Sequence, residues 1–241
     1  MAGRKLGKEE LLQIFQHLLR EIGPRGWWPA DSPFEVMVGA ILTQNTAWAN
    51  VKKAIANLKA HGLLDPQKLH AVPEAELAEL IRPSGYYNQK AKKLKAFVAY
   101  FLRRYGGSVK RMKSQSTEKL RRELLQLYGI GPETADSILL YALDKPVFVI
   151  DAYTHRIFER HGWLDGRLSY DEFQRLFHRH LGPDAELFNE FHALLDYVGH
   201  FYCRRTPRCE ACPLRPWLQG NRREPEEKGA TVTGPVPPRA E

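Results

Sequence analysis

Residues 123–158 read ELLQLYGIGPETADSILLYALDKPVFVIDAYTHRIF, and their spacing decides the fold. Apolar Leu124, Leu125 and Leu127 stop at Tyr128-Gly129-Ile130-Gly131. The apolar spacing resumes after Pro132 through Ala135, Ile138, Leu139 and Ala142. Helical periodicity on both sides of so short a break predicts two short helices joined by a hairpin turn. Gly129 and Gly131 admit backbone angles that other residues avoid, and Pro132 suits a first helical position, which needs no amide hydrogen. Backbone N–H groups left free at such a turn can hold a phosphate oxygen. Alone, a GxG before a helix is usually an ordinary connection. The continuation Val147-Phe148-Val149-Ile150 adds a short apolar approach that delivers a single carboxylate, Asp151, to the predicted N-cap of the next helix.

A hairpin followed by Val149-Ile150-Asp151 resembles the helix–hairpin–helix motif, Gly/Pro-rich loop and aspartate of the DNA glycosylase superfamily that includes endonuclease III. The resemblance covers residues 30–218, most of the chain. It implies an all-α fold of two helical domains flanking a DNA-binding cleft. One domain is a six-helix barrel over 30–143, with the hairpin at 124–142. The other joins 1–29 to 144–218 and includes a cysteine loop at 203–218. From 219 to 241 the polar, Gly- and Pro-rich sequence predicts a disordered tail.

No stretch alternates with period two for long, so the chain reads as all-α, and its charge favours a polyanionic partner. Lys plus Arg number 36 against 28 Asp plus Glu, for a net charge of +8. Such an excess favours nucleic acid but also fits many basic proteins with other partners. No apolar run approaches a membrane span, and the start MAGRKLGKEE lacks the apolar core of a signal peptide. A cytoplasmic, DNA-associated monomer is expected. Helices are predicted from Leu11 to Ile22, from Ser32-Pro33 to Leu42, around Val51 to Leu58, and from Glu74 to Ile81. A longer one runs from Tyr86 to Tyr105, followed by a basic linker, and three more lie near 152–161, 170–180 and 184–202.

Asp151 could be a helix cap and nothing else. Breaking an N-glycosidic bond, however, builds positive charge on the sugar, and a carboxylate held ionised by helix amides can stabilise that charge and orient water. The resemblance therefore makes Asp151 the catalytic candidate. Bifunctional members of the superfamily carry a lysine two residues after the second hairpin glycine, whose amine forms a Schiff base with the sugar. Here that position is Glu133, which cannot form an imine, so hydrolysis without lyase chemistry is expected.

The resemblance also marks Leu42-Thr43-Gln44-Asn45-Thr46 and Gly85-Tyr86-Tyr87-Asn88-Gln89-Lys90-Ala91 as two DNA-contacting turns. Gln44 and Tyr86 would enter the duplex as the target base leaves it, which costs a few kcal/mol of stacking and pairing. Gly129, Gly131 and Lys90 are further DNA-binding candidates. Lys92, Lys93, Lys95, Arg103 and Arg104 are either phosphate contacts or the solvated face of a helix. Trp27, Trp28, Pro29 and Trp48 could be core. With the hairpin lacking its lysine, they resemble the base pocket of the endonuclease III-like 3-methyladenine glycosylases, where indoles would stack on a flat cationic purine.

Cys203, Cys209 and Cys212 form a loop like the superfamily's iron–sulfur loop, but Leu218 occupies the place of its fourth cysteine. The open options are a [4Fe–4S] cluster with another ligand such as His200, a labile three-cysteine cluster, zinc, or no metal. Arg204, Arg205 and Arg208 could make the loop a phosphate-contacting patch in any case. Functionally, a monofunctional base-excision glycosylase for alkylated purines leads. It competes with an endonuclease III-like glycosylase/lyase for oxidised pyrimidines and with a non-catalytic hairpin protein that binds double-stranded DNA.

Overall fold

The computed structural model describes residues 6–164 and 168–218; the predicted tail lies outside them. Among the described residues there is no strand, and no helix is long and apolar enough to cross a membrane. The fold is the all-α one expected. The chain divides into two compact units, Met1–Trp27 with Ile150–Glu241, and Trp28–Val149.

Helix α1 (Lys8–Ile22) opens the first unit and buries Leu11, Ile14 and Leu18 along one stripe. The chain then enters the second unit at Trp28. There α2 (Pro33–Leu42) starts where Ser32 Oγ accepts the Glu35 N–H at 3.2 Å, and every residue from Phe34 to Leu42 is buried. It is followed by α3 (Trp48–Ala60), α4 (Pro66–Ala71), α5 (Glu74–Leu80) and α6 (Tyr87–Tyr105). Along α6 the stripe Leu94, Phe97 and Phe101 is fully buried, and Phe101 stacks on Phe34 with centroids 6.0 Å apart. Each buried aromatic of this kind contributes roughly 1.5–3 kcal/mol relative to exposure.

Where a basic linker was expected, the chain forms α7 (Val109–Lys113) and then α8 (Thr117–Leu125). Ser108 Oγ accepts the Arg111 N–H at 3.3 Å, and Met112 is buried, so capping plus one apolar anchor suffices for the short helix. Glu123 on α8 gathers Tyr100, Tyr105 and Arg104 from α6. Burial alone would raise its carboxyl, but the hydrogen bonds from Tyr105, Arg104 and Tyr100 outweigh it and hold the group at about 2. Its contribution to stability is therefore present above the ordinary carboxylate range and is lost only as pH falls towards that value.

The hairpin closes with α9 (Pro132–Ser137), which passes directly into one π-helical turn over Ile138–Ala142. Arg121 on α8 grips the buried Asp136 on α9 through two bonds, of 2.8 and 3.2 Å. The chain returns to the first unit with α10 (Ala152–Arg160), α11 (Tyr170–Leu181) and α12 (Ala185–Phe201). Phe158, Phe173 and Phe177 form an aromatic core with centroid separations of 5.0 to 5.7 Å. Helices α10 and α12 cross closely at Gly199, where an added Cβ would stand 2.4 Å from Tyr153 Cβ.

Candidate active site and nucleic-acid interface

In the first unit, Asp151 is the N-cap of α10. Its Oδ1 accepts the Thr154 N–H at 2.6 Å, which satisfies one of the helix's free amides. The preceding Ile150 N–H donates to the Tyr170 hydroxyl at 3.3 Å and fixes the approach. The second carboxylate oxygen, Oδ2, lies 3.9 Å from Nε2 of His192 on α12. Burial lowers the His192 pKa against the opposing pull of the Asp151 charge, so the imidazole is neutral at pH 7. Asp151 is thus aimed by its cap on one side and faced by a buried neutral ring on the other. Sequence reasoning missed His192, although it follows Phe191 within the buried stripe of Phe188, Leu195 and Val198.

In the second unit the two hairpin glycines turn out to differ. Gly129 has φ +73°, whereas Gly131 has φ −91° and ψ 178°, an extended conformation open to any residue. Gly129 also lies under the Lys93 stem: a Cβ there would come within 2.4 Å of Lys93 Cε. At Gly131 a Cβ would meet nothing within 4 Å, so the start of α9 is open rather than strained. Glu133 is exposed in the first turn of α9.

Gln44 is tied to the hairpin. Its Nε2 donates to Gly129 O at 3.0 Å and to Thr134 Oγ1 at 2.9 Å, and its Oε1 accepts from Lys93 Nζ at 2.5 Å. Tyr86 stands 69% exposed in a left-handed backbone conformation, φ 47°, just ahead of α6.

The basic residues of α6 fall into two groups. Lys90 is only 1% exposed and its amino group is spent on internal oxygens, which corrects its placement as a phosphate contact. Burial, with Lys93 nearby, pushes it down to about 8. Lys95 likewise bonds the carbonyls of Leu69, His70 and Val72. Arg104 pairs with Glu123 at 2.8 Å, while Lys92 and Arg103 are exposed. Of the aromatic candidates, Trp28 and Trp48 meet edge to face at 5.3 Å, and Tyr141 from the π-helical turn lies 5.6 Å from Trp28. The Trp28 indole also lies over Gly39, which has no side chain to obstruct it. Trp27 belongs to the other unit, and Pro29 is exposed.

The cysteine loop is anchored by arginines of α10. Arg156 Nε donates to Cys203 O at 2.6 Å and its Nη2 to Gly199 O at 2.9 Å. Arg160 donates to Arg204 O at 2.6 Å and Arg205 O at 3.3 Å, and approaches Cys203 Sγ at 3.5 Å. His17 on α1 meets Pro213 O at 2.9 Å, and Leu214 is fully buried. Burial, reinforced by the neighbouring Cys203 and Cys209, pushes the Cys212 thiol up to about 11. The donor set does not complete a four-ligand cluster. Leu218 supplies no ligand, the His200 ring packs on Phe201 at 4.6 Å, and among the described residues no three His, Cys, Asp or Glu side chains gather into a metal-binding group. Protein purified without oxygen is therefore expected to contain well under four irons per chain and to keep its melting temperature after chelation. Four irons with matching sulfide would refute this.

The chain's similarities agree with this geometry. Residues 38–183 match the sequence model of the HhH-GPD superfamily base excision DNA repair protein family. Methanocaldococcus jannaschii MJ1434, provisionally named a DNA repair glycosylase, is 46% identical over 208 residues, spanning 86% of this chain and 94% of its own. Endonuclease III of Thermotoga maritima is 32% identical, over 84% of this chain and 91% of its own. Among solved structures, the 3-methyladenine DNA glycosylase MagIII of H. pylori, bound to 1,N6-ethenoadenine, matches with a TM-score of 0.71 and 32% identity. That match covers 81% of this chain and 98% of MagIII. The chain belongs to the HhH-GPD superfamily of base excision DNA repair proteins. It is a DNA N-glycosylase, an enzyme that acts on DNA and cuts the bond between a base and its sugar.

Proposed function

We propose that this glycosylase is monofunctional and releases alkylated purines of the 3-methyladenine type from duplex DNA. The observation that carries the substrate class is the cluster of Trp28, Trp48 and Tyr141, whose electron-rich ring faces suit a flat cation. The 32% identity to a 3-methyladenine glycosylase supports it. A purine alkylated at N3, as in 3-methyladenine, already carries positive charge while bound to deoxyribose. When the N-glycosidic bond breaks, its electron pair neutralises the departing base, and no general acid is required. Asp151 stabilises the positive charge left on the sugar. A water oxygen then bonds to the anomeric carbon, and its proton passes to the carboxylate or to solvent. Glu133 in place of the lyase lysine leaves the abasic sugar intact, because a carboxylate cannot form the imine that precedes strand cleavage. Gly129, Gly131, Gln44 and Tyr86 are the proposed DNA contacts.

The test is a panel of duplexes with one lesion each, including 3-methyladenine, 1,N6-ethenoadenine and an oxidised pyrimidine, scored with and without alkali and with borohydride. 3-Methyladenine should be released, strands should break only after alkali, and borohydride should trap no protein on DNA. Efficient trapping together with release of the oxidised pyrimidine would replace this proposal with endonuclease III-like glycosylase/lyase chemistry.

A further inference from the structure

One lysine in the basic run of α6 is buried, only 1% exposed. Lys90 Nζ donates to Leu42 O at 2.7 Å, to Ser84 O at 2.7 Å and to Thr46 Oγ1 at 2.6 Å. The Thr46 hydroxyl in turn donates to Ser84 O. These acceptors come from three places: the end of α2, the turn that carries Gln44, and the turn that leads to Tyr86. Both turns contain a non-glycine residue at positive φ, Asn45 at 51° and Tyr86 at 47°. Such backbone persists only where its surroundings over-determine it.

The choice of side chain is also informative. All three partners are neutral oxygens, and burial disfavours the charged amine. A methionine would fill similar space without desolvating an ammonium. What lysine adds is three donors radiating from one point, enough to bond three segments at once. Its backbone contributes as well, because the Lys90 N–H closes the first turn of α6 onto Tyr86 O at 2.9 Å.

We propose that Lys90 is a positioning residue that ties the Gln44 turn to the Tyr86 turn, setting both side chains before the duplex arrives. This rests on the DNA-contact roles proposed above for Gln44 and Tyr86. Lys90 itself touches no DNA. It acts by making two separate turns behave as one rigid reading edge, and misplacement of such groups by about an ångström can cost up to a hundredfold.

The experiment compares the full chain with Lys90→Met, with the gentler Thr46→Val, and with Leu69→Ala as a control for general destabilisation at a buried site outside both turns. Amide exchange is followed in the DNA-free protein over residues 42–48 and 82–89. Binding is measured on a duplex with a tetrahydrofuran abasic site beside 2-aminopurine, whose fluorescence reports insertion into the stack. Lys90→Met should speed exchange in both segments together and weaken binding by about tenfold or more, and Thr46→Val should do the same to a smaller degree. Leu69→Ala should do neither at a temperature where it is folded. In a Gln44→Ala/Tyr86→Ala background, adding Lys90→Met should cost little more, because the groups it positions are gone. Unchanged exchange in either segment, or binding no weaker than that of the control, overturns the proposal. If Gln44→Ala/Tyr86→Ala itself binds like the wild type, the DNA-contact roles have failed, while the exchange measurement still decides whether Lys90 ties the turns.

Discussion

Replacing Asp151 by asparagine is expected to cut base release by about a thousandfold or more while leaving the melting temperature almost unchanged. The two expectations separate because the residue has two jobs. As a cap it needs only an oxygen to accept the Thr154 N–H, at 2.6 Å in the native chain, and asparagine caps as well as aspartate. As the proposed catalytic group it needs negative charge opposite a cationic sugar, which the amide lacks. Duplex affinity should persist, since the proposed contacts at Gly129, Gly131, Gln44 and Tyr86 are untouched. Single-turnover release from a defined lesion duplex, read beside thermal unfolding, decides the matter. An asparagine variant that keeps about a tenth of native activity would remove Asp151 from catalysis.

Gly199→Ala should be the most damaging single-methyl change in the first unit. An added Cβ would stand 2.4 Å from Tyr153 Cβ and 2.5 Å from its Cγ, atoms too near the backbone to swing aside. Helices α10 and α12 would have to separate. Overpacking of this kind costs up to about 3 kcal/mol, measurable by urea unfolding. The same separation would displace Asp151 at the head of α10 from His192 on α12, so base release should fall even where the protein remains folded. Native stability and native rate together would show that the crossing tolerates the methyl group.

The hairpin was legible because its signals are local: apolar spacing on both sides, glycine at the turn, and proline at the helix start. Which glycine needs the left-handed region was not legible, since Gly129 and Gly131 look alike until the Lys93 stem is placed over the first. Lys90 was misplaced by its charge, although its spacing pointed inward. Positions 90, 94, 97 and 101 form one helical stripe, and the other three are Leu94, Phe97 and Phe101. His192 is the same case on α12. The π-helical turn left no periodic mark, because Ile138–Ala142 is buried throughout and such a run cannot distinguish one helical period from another. Its effect on Tyr141 depends on Trp28, more than a hundred residues away in sequence.

Arg156 and Arg160 hold the cysteine loop almost entirely by its main-chain carbonyls. Carbonyls are the same whichever side chains the loop carries, so the grip cannot distinguish one loop sequence from another. These bonds therefore set the place of the loop through its backbone and not through its thiols. The carbonyls of Arg204 and Arg205 are among those gripped, so the grip on the backbone also fixes where these two basic side chains leave the chain.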